Sequence, residues 1–419
     1  MNRKDIEIMA PAGSHESLAA AIQGGADSVY FGAEQLNMRA GSTNNFTLTD
    51  LRDIAGTCKN HGLKSYLTVN VVVYDHEIKQ MQKIIDTAVS SGISAIIASD
   101  ISVIDYAFRS GIEVHISTQL NISNAEALRF YSRWADVVVL ARELNLDQVK
   151  HISGLIREQD IRGPGGEPVK IEMFAHGALC MAVSGKCYLS LHENNTSANR
   201  GNCYQTCRKS YIVTEKESGS QLEIDNEYIM SPKDLCTIGF IDKMMDAGVT
   251  VFKIEGRARS AEYVKVVSSC YDEAVKAVLD GTYTSEKIDT WKQRLSSVFN
   301  RGFWDGYYLG QKLGEWSTGY GSAATKRKVY LGKVTNYFTR LNVAEIKVEN
   351  GDLRKGDTIL IIGPTTGVIE YSVDEIRVDL KDTETAKQGE LCSIKIPEHL
   401  RRSDKIFRWV NAEDLKNIK

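Results

Sequence analysis

Residues 25–32, Gly-Ala-Asp-Ser-Val-Tyr-Phe-Gly, place a glycine just ahead of a β-rich run and directly after a stretch of helical character. The arrangement returns at Gly62-Leu63-Lys64 before SYLTVNV, Gly92-Ile93-Ser94 before AIIAS, Gly111-Ile112-Glu113 before VHIS and Gly248-Val249-Thr250 before VFKIEG. A glycine just past a helix adopts the left-handed conformation that closes it, and the chain then enters a buried strand. Each copy therefore reads as a helix-to-strand junction.

The runs IEIMAPAG near the start, DVVVLAREL after Trp134 and KIEMFAHG from Lys170 bring the count to eight short apolar strands separated by helix-length segments. Eight is the strand number of a TIM-like β/α barrel, so the expected fold class is α/β with that closure. Ser14 stands as an N-cap for ESLAAAIQ, and Thr47 or Thr49 for DLRDIAGTC. An open doubly wound sheet satisfies the same strand count, although no GxGxxG follows the first strand to favour it.

With 419 residues, one large domain plus a smaller one is expected. The barrel domain is assigned to 1–321, with a cysteine-rich excursion over 178–246 between the seventh and eighth strands. A helical extension over 258–315 follows, containing SAEYVKVVSSCYDEAVKAVL and SEKIDTWKQRLSSVF. Residues 322–419 change to strands and turns, an all-β module expected to be a small closed barrel, with Asn350-Gly351 as a hairpin turn. The net charge of −3 excludes a globally basic surface, so an RNA contact must come from local patches. Lys326 to Lys328 and Arg401-Arg402 are such patches, and equally read as ordinary solvated surface.

No secretory pattern opens the chain, and no run of about 18 apolar residues occurs. A cytoplasmic protein without a membrane segment is expected. Thiols are reduced in that compartment, so eight cysteines argue for metal or redox use rather than disulfides. Cys58, Cys270 and Cys392 stand alone and read as small buried hydrophobes. Cys180, Cys187, Cys203, Cys207 and Cys236 share the excursion, with no CxxC among them. Four thiolates suit tetrahedral zinc or a 4Fe-4S cluster, and their spacing does not choose between the two.

The run from Glu172 through Phe174, His176, Gly177, Cys180, Gly185 and Cys187 to Ser190 resembles the defining pattern of the collagenase-like peptidase family U32, ExFxxG followed by CxxxxGxCxxS. MAPAG, ADSVYFG, LNMR ending at Arg39, ISTQLN, LAREL, NRGNCYQTCR, SPKDLC, KIEGR and NRGFWDGYYLG extend the likeness over most of the chain. The resemblance implies oxygen-independent hydroxylation rather than simple proteolysis. Its RNA-acting kinds use prephenate as hydroxyl source, and the two-domain form is most like the tRNA proteins that make 5-hydroxyuridine at the wobble position. It also implies a 4Fe-4S cluster on Cys180, Cys187, Cys203 and Cys236, with Cys207 as the alternative fourth ligand and zinc as the alternative metal. The implied partner is tRNA, with ribosomal RNA as a second target, and a partner subunit or second copy is allowed.

In β/α barrels the C-terminal strand ends build the site. That rule selects Asn70, Gln119, Asn121, Arg142, Glu143, Glu172, His176, Lys253, Glu255 and Arg257. Glu172, His176, Arg142 and Glu255 are the catalytic candidates. Arg39, Asn70, Gln119, Asn121, Lys253 and Arg257 are the substrate-binding ones. A dicarboxylate such as prephenate wants guanidinium forks, which Arg39, Arg142 and Arg257 supply. The plainer alternative is a set of ion pairs locking the rim, Arg142 with Glu143 and Lys253 with Glu255. His176 reads equally as a neutral residue supporting the metal ligands. Neither HExxH nor GxSxG occurs, so a peptidase would need a cysteine nucleophile with a base such as His176.

Overall fold

All five junction glycines hold positive φ, from 73° at Gly62 to 93° at Gly248. A side chain there would be strained, which explains why the motif keeps glycine where each helix hands over to a strand. A computed structural model describes residues 2–41, 45–209, 213–214, 216–217, 221–222, 230–311, 314–317, 319 and 321–416. The expected eight strands are β1 (Glu7–Pro11), β2 (Ser28–Phe31), β3 (Lys64–Val69), β4 (Ala95–Ala98), β5 (Glu113–Ile116), β6 (Val137–Val139), β7 (Lys170–Gly177) and β8 (Val249–Ile254). Neighbours pair in parallel in that order, and β8 pairs with both β7 and β1. The sheet is a closed barrel, not an open one.

The outward strand faces meet helices α1 (His15–Gln23) to α6 (Leu146–Glu158) in one continuous core. Ser14 caps α1 by accepting from the Ser17 amide at 3.2 Å. Thr47 instead caps a single 3-10 turn, Leu48–Asp50, that runs into α2 (Leu51–Asn60). Inside the barrel, Met9, Tyr30, Tyr66, Ile97, Val137 and Val251 form a separate apolar plug. Above that plug the inward positions turn polar.

After Gly177 the chain leaves the barrel and includes α7 (Leu189–Asn194). It returns through Asp234–Cys236, which pairs antiparallel with the end of β7. Residues 210–212, 215, 218–220 and 223–229 of the excursion lie outside the described residues. Two clasps fix it to the rim. Arg200 forms a two-pronged ion pair with Glu77, one contact at 2.8 Å, and lies 4.1 Å over the Tyr74 ring. Asn121, at φ 52°, donates to the Ser184 carbonyl at 3.1 Å. From α8 (Ile241–Asp246) the chain enters β8, then α9 (Ala261–Leu279) and α10 (Ser285–Ser297).

The C-terminal module is all-β as expected. Its six longer strands are β9 (Lys326–Phe338), β10 (Val343–Val348), β11 (Thr358–Gly363), β12 (Gly367–Ser372), β13 (Leu391–Lys395) and β14 (Lys405–Asn411). They form an antiparallel sheet in the order β12-β11-β14-β9-β10-β13, extended past β13 by Arg377–Val378 and Lys381–Asp382. The sheet wraps its own apolar core, and no ladder among the described residues joins its two edges. Gly351 has φ 67°, but the turn leads into Leu353–Arg354, which pairs with Thr385–Ala386 and not back on β10. Much of the basic run at 326–328 serves the domain junction or nearby turns: Lys328 pairs with Glu262 at 3.0 Å, and Arg327 donates to the carbonyls of Ser322 and Ala324. Gln23 of α1 completes the junction by bonding both the Thr366 carbonyl and the Val368 amide at 2.9 Å.

Candidate active site at the barrel mouth

Alternation along β8 builds the floor of the site. Val251, Lys253, Glu255 and Arg257 lie two residues apart and face inward, Val251 in the plug and the other three in the cavity above it. Lys253 Nζ binds Glu172 Oε1 at 2.6 Å, with both side chains almost wholly buried, and sits 4.6 Å over the Tyr30 ring. Arg257 donates to Asn37 Oδ1 at 3.0 Å and Thr68 Oγ1 at 2.9 Å. Arg39 Nη2 binds Glu255 Oε1 at 3.0 Å. The rim does carry ion pairs, but with exchanged partners: Lys253 takes Glu172, and Glu255 takes Arg39.

Burial alone would raise the Glu255 carboxyl, but Arg39, Arg142 and Arg257 override it and hold the group down to about 2. A carboxyl depressed in the folded state adds stability above its unfolded value of ~4.3 and loses that contribution as pH falls toward the folded value. Glu255→Gln should therefore flatten the acid-side decline in stability, by about 2 kcal/mol between pH ~5 and ~3. Urea denaturation across that window measures it. Parallel curves for parent and variant would show that the carboxylate is not held this way.

Arg142 is the least committed of the three arginines. It stacks 3.8 Å over Phe174, makes one long contact of 3.4 Å to the Ala178 carbonyl, and its buried Nε has no partner. Asn70 accepts from the Met38 amide at 3.2 Å and donates to Ser117 Oγ and Gln119 Oε1. Asn70 and Gln119 line the cavity, while Asn121 does not and serves as the rim clasp described above.

Cys180, Cys187, Cys203 and Cys207 all line this cavity. Burial and the neighbouring thiols raise Cys187, and burial raises Cys207 to about 11 against the opposing charge of Arg208. Four thiols on one wall suit a thiophilic metal centre. They do not form a ready cage: among the described residues no group of three or more His, Cys, Asp or Glu side chains stands in place for an ion. Cys236, named above as the fourth ligand, is elsewhere. It is buried opposite His176 in the ladder to β7, and burial pushes it up to about 11. Cys58, Cys270 and Cys392 are buried, as expected.

His176 is also displaced. Simple alternation from Glu172 and Phe174 would point it inward, but the β7–β8 register slips there: Phe174 faces Lys253, and His176, two residues on, faces Ile254, only one residue on. The extra residue, Ala175, turns the imidazole out into Tyr263, Tyr271 and Phe303. Burial, helped by Arg259, lowers it to about 3, so it is neutral. Glu172 is wholly buried beneath the cavity as the counter-ion of Lys253 and not on its wall.

Reading the strands missed Tyr30, Thr68, Ser117 and Arg208, all of which line the cavity. Tyr30 Oη donates to Glu255 Oε2 at 3.1 Å, and its ring had passed as one more apolar strand residue. Thr68 follows the strand-end rule and was recoverable. Arg208 ties the excursion by bonding the Leu179 and Pro232 carbonyls at 2.8 and 2.9 Å, a role that no local pattern signals.

A closed β/α barrel whose mouth is roofed by a cysteine-bearing excursion and floored by arginines defines the class. Within it, the chain belongs to peptidase family U32, whose model matches residues 13–318. It is similar to a protein of Porphyromonas gingivalis named collagenase, 63% identical over 414 residues, covering 99% of this chain and 100% of that one. It is 30% identical to tRNA hydroxylation protein P1 of Bacillus subtilis, covering 89% of this chain and 87% of the relative. It is 34% identical to a 23S rRNA 5-hydroxycytidine synthase of Escherichia coli, covering 66% of this chain and 40% of the relative. No helix among the described residues is long and apolar enough to cross a membrane.

Proposed function

We propose that this chain is a cytoplasmic RNA hydroxylation protein that forms 5-hydroxyuridine at the wobble position of tRNA, with prephenate as the hydroxyl source. The observation that carries the reading is a single cavity in which four thiols face Arg39, Arg142, Arg208, Arg257 and Lys253. Against these cations stand Glu255 on the wall and Glu172 beneath, which leaves a net positive site for an anionic co-substrate. Arg142, with donor capacity to spare, is the fork for a prephenate carboxylate. Arg39 and Glu255 orient one another at the wall. Tyr30, bonded to Glu255, places a hydroxyl group beside the substrate.

Cys180, Cys187, Cys203 and Cys207 would hold a 4Fe-4S cluster, which would supply one-electron chemistry to this pocket. Zinc on the same thiols would leave a structural centre instead.

A collagenase activity is the second reading, favoured by the name of the 63% identical relative. The cavity argues against it. No histidine lines it, His176 is sealed in the core, and Cys187 and Cys207 are raised rather than activated. Mass spectrometry of tRNA nucleosides from a strain lacking the gene is expected to show loss of 5-hydroxyuridine and its derivatives, restored by the parent gene. An unchanged tRNA profile would overturn the tRNA assignment. Loss of a hydroxylated ribosomal nucleoside would then point to rRNA, and collagen cleavage by the purified protein to a peptidase.

A further inference from the structure

A second chamber adjoins the main cavity past Cys203. The two share Arg39, Glu255 and Cys203, and the second adds Tyr204, Gly256 and Arg259. Around it Arg208, Arg259 and Arg301 share Asp234, Arg301 repels each of the other two, and the second carboxylate near Arg259, Glu255, is already paired with Arg39. Arg301 takes Asp234 at 3.3 Å. Arg208 is spent on the Leu179 and Pro232 carbonyls and the Ser231 hydroxyl. Arg259 lies flat on the Phe299 ring at 3.6 Å, and among the described residues it forms no ion pair and donates no side-chain hydrogen bond. Its planar fork is thus held in place by stacking, with its donors uncommitted. Beside it Tyr204 is 54% exposed although it belongs to the chamber wall.

A rigid, unpaired guanidinium in an under-neutralised cluster matches a phosphate, and an exposed tyrosine offers a face on which any base stacks. We propose that this chamber binds the phosphodiester flanking the target nucleotide, with Arg259 gripping the phosphate and Tyr204 stacking the adjoining base. The assignment rests on the RNA reading above. The target base, taken out of its stack, then enters the main cavity past Cys203, while the strand stays outside along Arg259.

Fluorescence anisotropy of a labelled anticodon stem-loop oligoribonucleotide, titrated with the full chain over a salt series, tests this. R259Q is expected to weaken binding roughly tenfold and to reduce the slope of log affinity against log salt by about 1, and R259K to restore most of both. Y204A is expected to weaken binding about tenfold with the slope unchanged, and Y204F to bind like the parent. Because Tyr204 is exposed, its variants test the chamber even where an arginine variant fails to fold. Parent-like affinity and slope in R259Q and Y204A would overturn the chamber assignment and leave the RNA reading standing. A parent protein that binds no RNA would overturn both.

Discussion

Anaerobically reconstituted Cys207→Ser protein is expected to lose its iron and acid-labile sulfide, whereas Cys236→Ser retains the parent content of about four of each per chain. The argument is one of access. Cys207 stands on the wall that also carries Cys180, Cys187 and Cys203. Cys236 is buried in a ladder against β7 and lies off that wall. Burial raises both thiols to about 11, and a bound cation would complete the deprotonation of the one it can reach. Serine at Cys236 keeps a small polar group next to Tyr271, so the fold should persist. The reverse pattern, with iron lost from Cys236→Ser and kept in Cys207→Ser, would reject the proposed thiol set. A colourless parent protein holding only zinc would reject the cluster itself.

The largest stability effect is expected from Glu172→Ala. Glu172 is fully buried, and it supplies the carboxylate that answers Lys253 inside the barrel. Removing it leaves an ammonium at the cavity floor, over the rings of Tyr30 and Phe174 and without its carboxylate. Breaking one side of such a buried pair costs about 3–5 kcal/mol. Replacing both partners with apolar side chains of similar volume, as in Glu172→Leu with Lys253→Met, should recover most of that loss, because no lone charge remains. Guanidinium denaturation of the two variants checks this. A single variant within about 1 kcal/mol of the parent would mean that water in the cavity solvates Lys253 once Glu172 is gone.

The barrel was legible because its signals are local. Each αβ junction needs a residue that tolerates positive φ, so the repeat stands out in the chain at Gly25, Gly62, Gly92, Gly111 and Gly248. The strand-end rule likewise placed Lys253, Glu255 and Arg257 at the site. Where the chain carried no signal, the cause was non-local. One extra residue in β7 against β8 reverses His176, and nothing within KIEMFAHG marks the slip. The choice between Cys207 and Cys236 depends on which returning segment reaches the mouth and which joins the sheet. That follows from pairing with β7 and Phe303–Trp304, far apart in sequence. The partners of the rim ion pairs were set the same way, by the closure that brings β8 beside β7.

The excursion departs at Gly177, and its returning strand pairs Leu235 with that same glycine. Its two feet therefore stand side by side on one strand end, and between them the Arg200–Glu77 and Asn121–Ser184 clasps hold it to the rim. For a loop so anchored, each doubling of length costs only ~0.6 kcal/mol in closure entropy. Between its clasps the roof can thus be lengthened or shortened with little penalty to the barrel below. Roof length and fold stability become separable properties, the one set between the clasps and the other in the staves.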